Sequence, residues 1–568
     1  MLWTPASAPL RKGAVLGSTN TRNHGCSRTC SRVGASASML PLNALSIGAF
    51  HASAERSIIK PGLGYFEPWL RELSRAEPPA APIDFRVAKA MGPTGYNSVR
   101  ISVVSTDGPV DLSHLHPSSS YNDSFRFRWE GAFDMGVATT SCGAAVYNTS
   151  TLTWDADCLL KCTHDGACKH YTWFPTAHRC ELSGAACTFQ ADGAAEATYV
   201  KLGTNHLSSA IVPLQVGANS VRVGGNDVVV SLPAPGAGVR GVVISDPCFS
   251  RRWIDCEFSE SWDVYNRTHL MLNAIAAHDD VDFFGVLGDN FYDQDGRPTR
   301  AIWDRLSIDF KRRYLLTVPG NHDIWVGGGP PSDYTDQFAW GFSQFYAQDT
   351  VAALTSPNGF MHFESGGPDV MKQWGGFNND VRNSFFFHTI GDLGFVGYAG
   401  AAPLQTLKPH LNEACAYFGS VAPPPRAIFV LGHWNDVSSG CQSGADTPDV
   451  RALLGSIDGC MGLGDRLKFI DGHTHCNQIQ QRGEHEAVGF MVGGHGMSGC
   501  SQYGFAVVDS TDEASLRVLY FEERSTSRDA FDAILACVQT SGISGCEHLA
   551  AAVWLESKRR AASFSTCP

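Results

Sequence analysis

Five short apolar runs, each broken off by a side chain able to bind a metal, constrain this chain more than any other feature. Gly241-Val-Val-Ile-Ser245 ends on Asp246, Val281-Asp-Phe-Phe-Gly-Val-Leu287 on Gly288-Asp289, and Tyr314-Leu-Leu-Thr-Val318 leads into Gly320-Asn-His-Asp323. Ala427–Leu431 runs into Gly432-His433, and Leu467–Asp471 into Gly472-His-Thr-His475. Short, continuously apolar runs read as strands buried on both faces. Residues 261–277, with Trp262, Tyr265, Leu272 and Ile275 on one stripe, and residues near 300–313 read as helices between the first three runs. Strand, helix, strand, helix, strand implies a parallel α/β core. Further strands are expected at 384–390, 394–398, 487–492, 505–509 and 516–521.

In open α/β sheets the carboxyl ends of the strands form the ligand-binding rim. Here those ends deliver Asp246, Asp289, Asn321, His433, His473 and His475 to one rim. One such residue alone would be ordinary, because an Asp after a strand usually caps a helix and a lone His usually packs or faces solvent. The set is different. Carboxylate and imidazole donors with one neutral amide suit Fe, Zn or Mn.

In their order, Asp246, Gly288-Asp289, Gly320-Asn-His-Asp323, Gly432-His433 and Gly472-His-Thr-His475 resemble the motifs of the calcineurin-like metallophosphoesterases, over roughly residues 240–525. Gly288-Asp-Asn-Phe-Tyr292 narrows the resemblance to purple acid phosphatases of the tartrate-resistant type, which carry a tyrosine three residues after the Asp. Many other members have Asp-x-His in the first motif; here Cys248 stands at the His position, and Tyr292 is the natural substitute ligand. The resemblance implies a four-layer α/β/β/α sandwich holding two metal ions, Fe with Fe, Zn or Mn. Asp246, Tyr292 and His475 would hold one ion, Asn321, His433 and His473 the other, and Asp289 would bridge them. A hydroxide would attack phosphorus in line, with His322 at the substrate or leaving group. The sequence also departs from the pattern: His433-Trp-Asn-Asp-Val-Ser-Ser-Gly-Cys-Gln442 has neither the further histidine nor the proline usual there. His495, in Gly493-Gly-His-Gly-Met-Ser-Gly499, is a candidate to approach the site from another loop.

Other motifs lose their force in context. Gly494-x-Gly496-x-x-Gly499 matches a dinucleotide fingerprint by letter, yet the strand-like Tyr503-Gly-Phe-Ala-Val-Val508 follows where a helix should begin. The Gly327-Gly-Gly-Pro-Pro331 and Gly366-Gly367-Pro368 loops read as surface turns or as walls of an entrance.

Before the α/β region the pattern changes. Val99–Val104 and Ser220–Val223 alternate as strands do, so a small β domain is expected, interrupted by a cysteine-dense insert. The insert holds Cys142, Cys158, Cys162, Cys168, Cys180 and Cys187, for which 15 pairings exist. Cys158-Leu-Leu-Lys-Cys162, Cys168-Lys-His-Tyr-Thr-Trp-Phe and Cys180-Glu-Leu resemble an apple/PAN module, which implies a protein or glycan partner. The expected layout is a targeting or disordered segment at 1–54, a linker and β region at 55–125, and the disulfide-rich module at 126–203. A β segment with a Pro/Gly linker follows at 204–238, then the catalytic domain at 239–525 and a helical tail at 526–568.

Composition bounds the partners. The 568 residues carry a formal charge of −13, and no apolar stretch is long enough to span a membrane, so neither nucleic acid nor a membrane span is expected. A phosphate-ester substrate would need local positive charge, which metals supply. The 18 cysteines and the sequons at Asn122, Asn148 and Asn266 point to the secretory pathway, with a secreted or vacuolar/lysosomal destination. Residues 1–54, which lack Asp and Glu, leave organelle targeting as the alternative. Two functions of different class follow: a dinuclear phosphoester hydrolase, a monoesterase or a phosphodiesterase, and a surface-binding protein using the module on a phosphoesterase scaffold. Intact ligand positions favour the enzyme.

Overall fold

The computed structural model describes residues 84–105, 108–125, 137–138, 140–152, 158, 161–162, 165, 167–200, 205–248, 264–292, 297–324, 342, 349–355, 381–435, 445–483, 486–492, 503–523 and 528–555. Two sheets form its centre. The larger has ten strands, with Arg240–Ile244, Phe283–Leu287 and Tyr314–Val318 parallel in its middle. Every residue of these three strands is buried, which is why they read as unbroken apolar runs rather than alternating ones. Antiparallel strands Gly504–Asp509, Arg517–Glu522 and Ala551–Trp554 extend one side. The smaller sheet has six strands, of which Leu393–Gly397, Ala427–Leu431, Leu467–Asp471 and Glu486–Met491 are parallel.

The sheets face each other, and Phe283 of the first meets Phe395 of the second edge-on with ring centroids 5.0 Å apart. Helices cover the outer faces. Val264–Ala276 and Asp529–Gly545 bury Tyr265, Leu272, Ile275, Phe531 and Ile534 with Ile244, Phe284 and Val507 of the first sheet. Leu404–Ser420 lays Tyr417 and Phe418 on Phe387 of the second. The helix expected near 300–313 is two, Arg297–Arg305 and Ile308–Lys311. Ser307 interrupts it: its hydroxyl caps the second helix at the Phe310 N–H, and its own N–H goes to the Asn273 side chain.

The expected small β domain is not separate. Asp84–Lys89 pairs in parallel with Tyr314–Val318, and Ser98–Ser105, Asn205–Pro213 and Ser119–Phe125 continue the ten-stranded sheet beyond it. Polar residues hide this strand from a sequence reading. Arg86 is buried because its guanidinium lies 4.0 Å from the Trp303 ring, and Asp84 because Arg86 and Lys311 reach it. The C-terminal tail is likewise more than a helix, since Ala551–Trp554 adds the sheet's last strand.

The cysteine-dense insert leaves this sheet at Phe125 and returns at Asn205, two residues paired across neighbouring strands. It forms a five-stranded antiparallel sheet closed by nested disulfides, Cys142–Cys187, Cys158–Cys180 and Cys162–Cys168. Cysteines supply four of the eight buried members of its core, so covalent closure does what a larger core would do elsewhere. Cys415–Cys460 and Cys537–Cys546 are further disulfides. No helix among the described residues is long and apolar enough to cross a membrane.

Candidate metal centre

The strand ends turn abruptly at the rim. Asp246, Asp289, Phe291, Tyr292, His473 and His475 all have positive φ, between 49° and 74°, and only His116 and His178 join them among the described non-glycine residues. Such backbone strain persists only where the surroundings over-determine it. Gly288, at φ +89°, could not be replaced freely, because a Cβ there would lie 2.5 Å from His433 Nδ1.

These turns bring the donor atoms into two groups. In the first, Tyr292 Oη lies 3.4 Å from Asp246 Oδ1 and 3.3 Å from His475 Nε2, and that nitrogen lies 3.2 Å from Asp246 Oδ1. In the second, His433 Nε2 lies 3.2 Å from Asn321 Oδ1, 3.3 Å from His473 Nδ1 and 3.4 Å from Asp289 Oδ1. Donors held about 2.0–2.2 Å from one ion lie about 3 Å apart at a right angle and about 3.4 Å apart at a tetrahedral one. The first group has that spacing throughout and the second has it around His433, with the Asp289, His433 and His473 donors all within 4.8 Å of one another, so the residues present fit metal ions. Asp289 adjoins both, since it also meets the Tyr292 hydroxyl.

The electrostatics favour added positive charge. Burial pushes Asp246 and Asp289 upward, but the histidines beside them outweigh it and hold both carboxyls below their ordinary range. Burial opposes protonation of His433, yet Asp289 and Asp246 drive it up to about 10. Burial and the His433 charge then take His473 down to about 3. Tyr292 is raised well above its usual value by burial and by both carboxylates, so its ionisation requires a cation beside it.

Surrounding groups aim the donors. The Leu287 carbonyl accepts from His433 Nδ1 at 2.7 Å, which fixes the tautomer and leaves Nε2 facing the second group. Asp246 Oδ2 accepts from the Ser245 hydroxyl at 2.5 Å and the His473 N–H at 3.1 Å, leaving Oδ1 to the first group. His322 donates its backbone N–H to Asp289 Oδ1 at 2.8 Å, and its ring packs 4.6 Å from that of Tyr292, with Nε2 3.9 Å from Asp289 Oδ2.

Two residues that sequence reasoning passed over join the ligand loops. Asp323 accepts from Gly320 N–H at 2.6 Å and from the backbone and side chain of Asn290, whose amide also donates to the Val318 carbonyl. This clasp ties the Gly288-Asp289 turn to the Gly320-Asn321 turn. The signal available was position alone, each residue lying one or two places from a ligand. Cys248 is disulfide-bonded, so its sulfur is no thiolate donor, and Tyr292 stands as the third member of the first group. His495 and the glycine loops at 327–331 and 366–368 lie outside the described residues.

Residues 240–477 match the family model of the calcineurin-like phosphoesterases, a match that leaves the disulfide module outside it. No curated protein sequence matches the chain. Solved structures resemble it distantly. A purple acid phosphatase, PPD1, from yellow lupin (Lupinus luteus) seeds is 13% identical, covering 79% of this chain and 73% of its own, with a TM-score of 0.39. A structure of PhoD is 10% identical, covering 80% of this chain and 92% of its own, with a TM-score of 0.33.

Proposed function

We propose that the protein, whose residues 240–477 match the model of the calcineurin-like phosphoesterases, is a metal-dependent phosphoesterase and, more closely, a dinuclear phosphoester hydrolase of the acid phosphatase type. The observation that carries this reading is the pair of donor groups at one rim, each spaced for one ion and joined by Asp289. Asp246, Tyr292 and His475 would hold one metal, and Asn321, His433 and His473 the other. Iron in the first position, with Fe, Zn or Mn in the second, suits a phenolate, imidazole and carboxylate set. When bound, such ions neutralise phosphoryl charge and make water acidic enough to ionise at mild pH.

The chain's own residues supply the rest. Asp289 and Asp246 balance the cationic charge, and the Leu287 carbonyl and the Asp323–Asn290 clasp keep the donors converged. His322 is placed to meet a phosphoryl oxygen or to hand a proton to the leaving oxygen.

The test is one preparation assayed two ways. Purified protein is expected to contain two metals per chain and to hydrolyse an aryl phosphate, with a visible absorption from tyrosinate on Fe(III). Metal-free protein inert toward every phosphate ester, even after reloading, would overturn the reading. Absence of the visible band alone would return the protein to the broader family, with a diesterase the next case to test.

Two further proposals concern the surroundings. The nested pairing of the insert's cysteines supports an apple-like module, a candidate docking unit for a protein or glycan. The disulfides support maturation in an oxidising compartment of the secretory pathway.

A further inference from the structure

Two loops of the rim approach each other without sharing a strand. One carries His433, and two residues on, Asn435; the other carries His473, Thr474 and His475. Thr474 sits between a donor of the second group and a donor of the first. Hydrogen bonds join these loops through atoms that are not metal donors: Gly472 N–H donates to the His433 carbonyl at 3.0 Å, and Asn435 Nδ2 donates to Thr474 Oγ1 at 3.1 Å. Both histidines beside Thr474 hold positive φ, 74° and 61°, so their loop needs restraint from outside itself.

Asn435 is not serving the core. Its other amide atom, Oδ1, is buried and meets no hydrogen-bond partner among the described residues. Buried polar atoms are nearly always satisfied, and an exception asks for a local reason. The reason visible here is the reach to Thr474, which dictates where the amide points.

We propose that Asn435 and Thr474 form a clamp setting the spacing of the two ligand loops, which makes Asn435 a positioning residue for both metal groups. The inference rests on the two-metal reading above. Groups that orient ligands from outside a metal site are worth roughly 10- to 100-fold in metal affinity.

The experiment measures binding of the metal alone, as Zn(II) or Fe(III) titrated into metal-free full-length protein against a competing chelator. N435A and T474V are each expected to weaken binding about 10- to 100-fold. The double variant should weaken it no further, because both changes remove the same bond. T474S, which keeps the hydroxyl, should restore wild-type affinity. Thermal unfolding of the metal-free forms separates a local effect from misfolding, and T474V, nearly isosteric, guards against a poorly folded N435A. Single variants that bind as wild type does, or losses that multiply in the double variant, would overturn the clamp. Wild-type protein that binds no metal would instead overturn the reading beneath it.

Discussion

The two donor groups lie at one rim but are held differently. The second, around His433, is sealed: His433 is 0% exposed, the Leu287 carbonyl fixes its ring, and Gly288 packs directly against it. The first, around Tyr292, is more open: its imidazole, His475, is 20% exposed. Its phenol must be ionised against burial and two carboxylates. Both sites couple metal binding to proton release, the second through His433, raised to about 10, and the first through Tyr292, raised well above its usual value. The phenol is the harder of the two to deprotonate, so the first group should be more selective about which ion it takes.

Asp289 belongs to both halves, so its removal is the largest expected effect. Asp289→Asn takes away the carboxylate facing His433, Tyr292 and the His322 N–H together. A loss of about 4 kcal/mol of transition-state stabilisation, about a thousandfold in kcat/KM, is expected from steady-state kinetics on an aryl phosphate. A loss below tenfold would mean that the halves do not share this residue functionally.

His433→Ala and His475→Ala come next, because they break the halves one at a time. His433→Ala should empty the second position, and His475→Ala the first, each lowering kcat/KM by about a hundredfold or more. Elemental analysis per chain reads the outcome. If either variant loses both metals, the rim is a single cooperative site and the contrast dissolves. Tyr292→Phe is milder, since the ring stays and only the hydroxyl is lost. About a tenfold fall in kcat is expected, with the visible band bleached and the unfolding transition unchanged. A retained band would place the chromophore elsewhere.

The sequence exposed the second half better than the first. Asn321, His433 and His473 follow glycines at the ends of apolar strands, and polarity breaking an apolar run is visible in one dimension. Tyr292 carries no such mark, because it is one aromatic in a turn, given a role only by the spacing from Asp289 and by the company of Asp246 and His475 in space. Cys248 looked like a vacated ligand position, and its disulfide now explains why no donor stands there. The clasp of Asn290 on Asp323 and the clamp of Asn435 on Thr474 depend on loops meeting from different strands, which composition and period do not encode. The same limit hid Asp84–Lys89: parallel pairing with Tyr314–Val318 is a long-range choice, and its buried Arg86 and Lys89 break the apolar signature of a central strand.

The smallest expected effect compares how much each half yields. A Cβ at position 288 would face φ +89° and the His433 ring, which the Leu287 carbonyl prevents from turning away. A Cβ at position 472 would strike the Ser245 hydroxyl at 1.9 Å, which can rotate and give up its bond to Asp246 Oδ2, and would press more lightly on Asp246 Oδ2 at 2.9 Å and Ser245 Cβ at 3.0 Å. Gly288→Ala should thus cost about 2–3 kcal/mol and Gly472→Ala about 1 kcal/mol, the first combining backbone strain with overpacking and the second losing mainly one hydrogen bond. Denaturant unfolding of the metal-free proteins measures both. Equal losses would show the two halves to be equally rigid, and the selectivity assigned to the first group would then rest on the chemistry of Tyr292 alone.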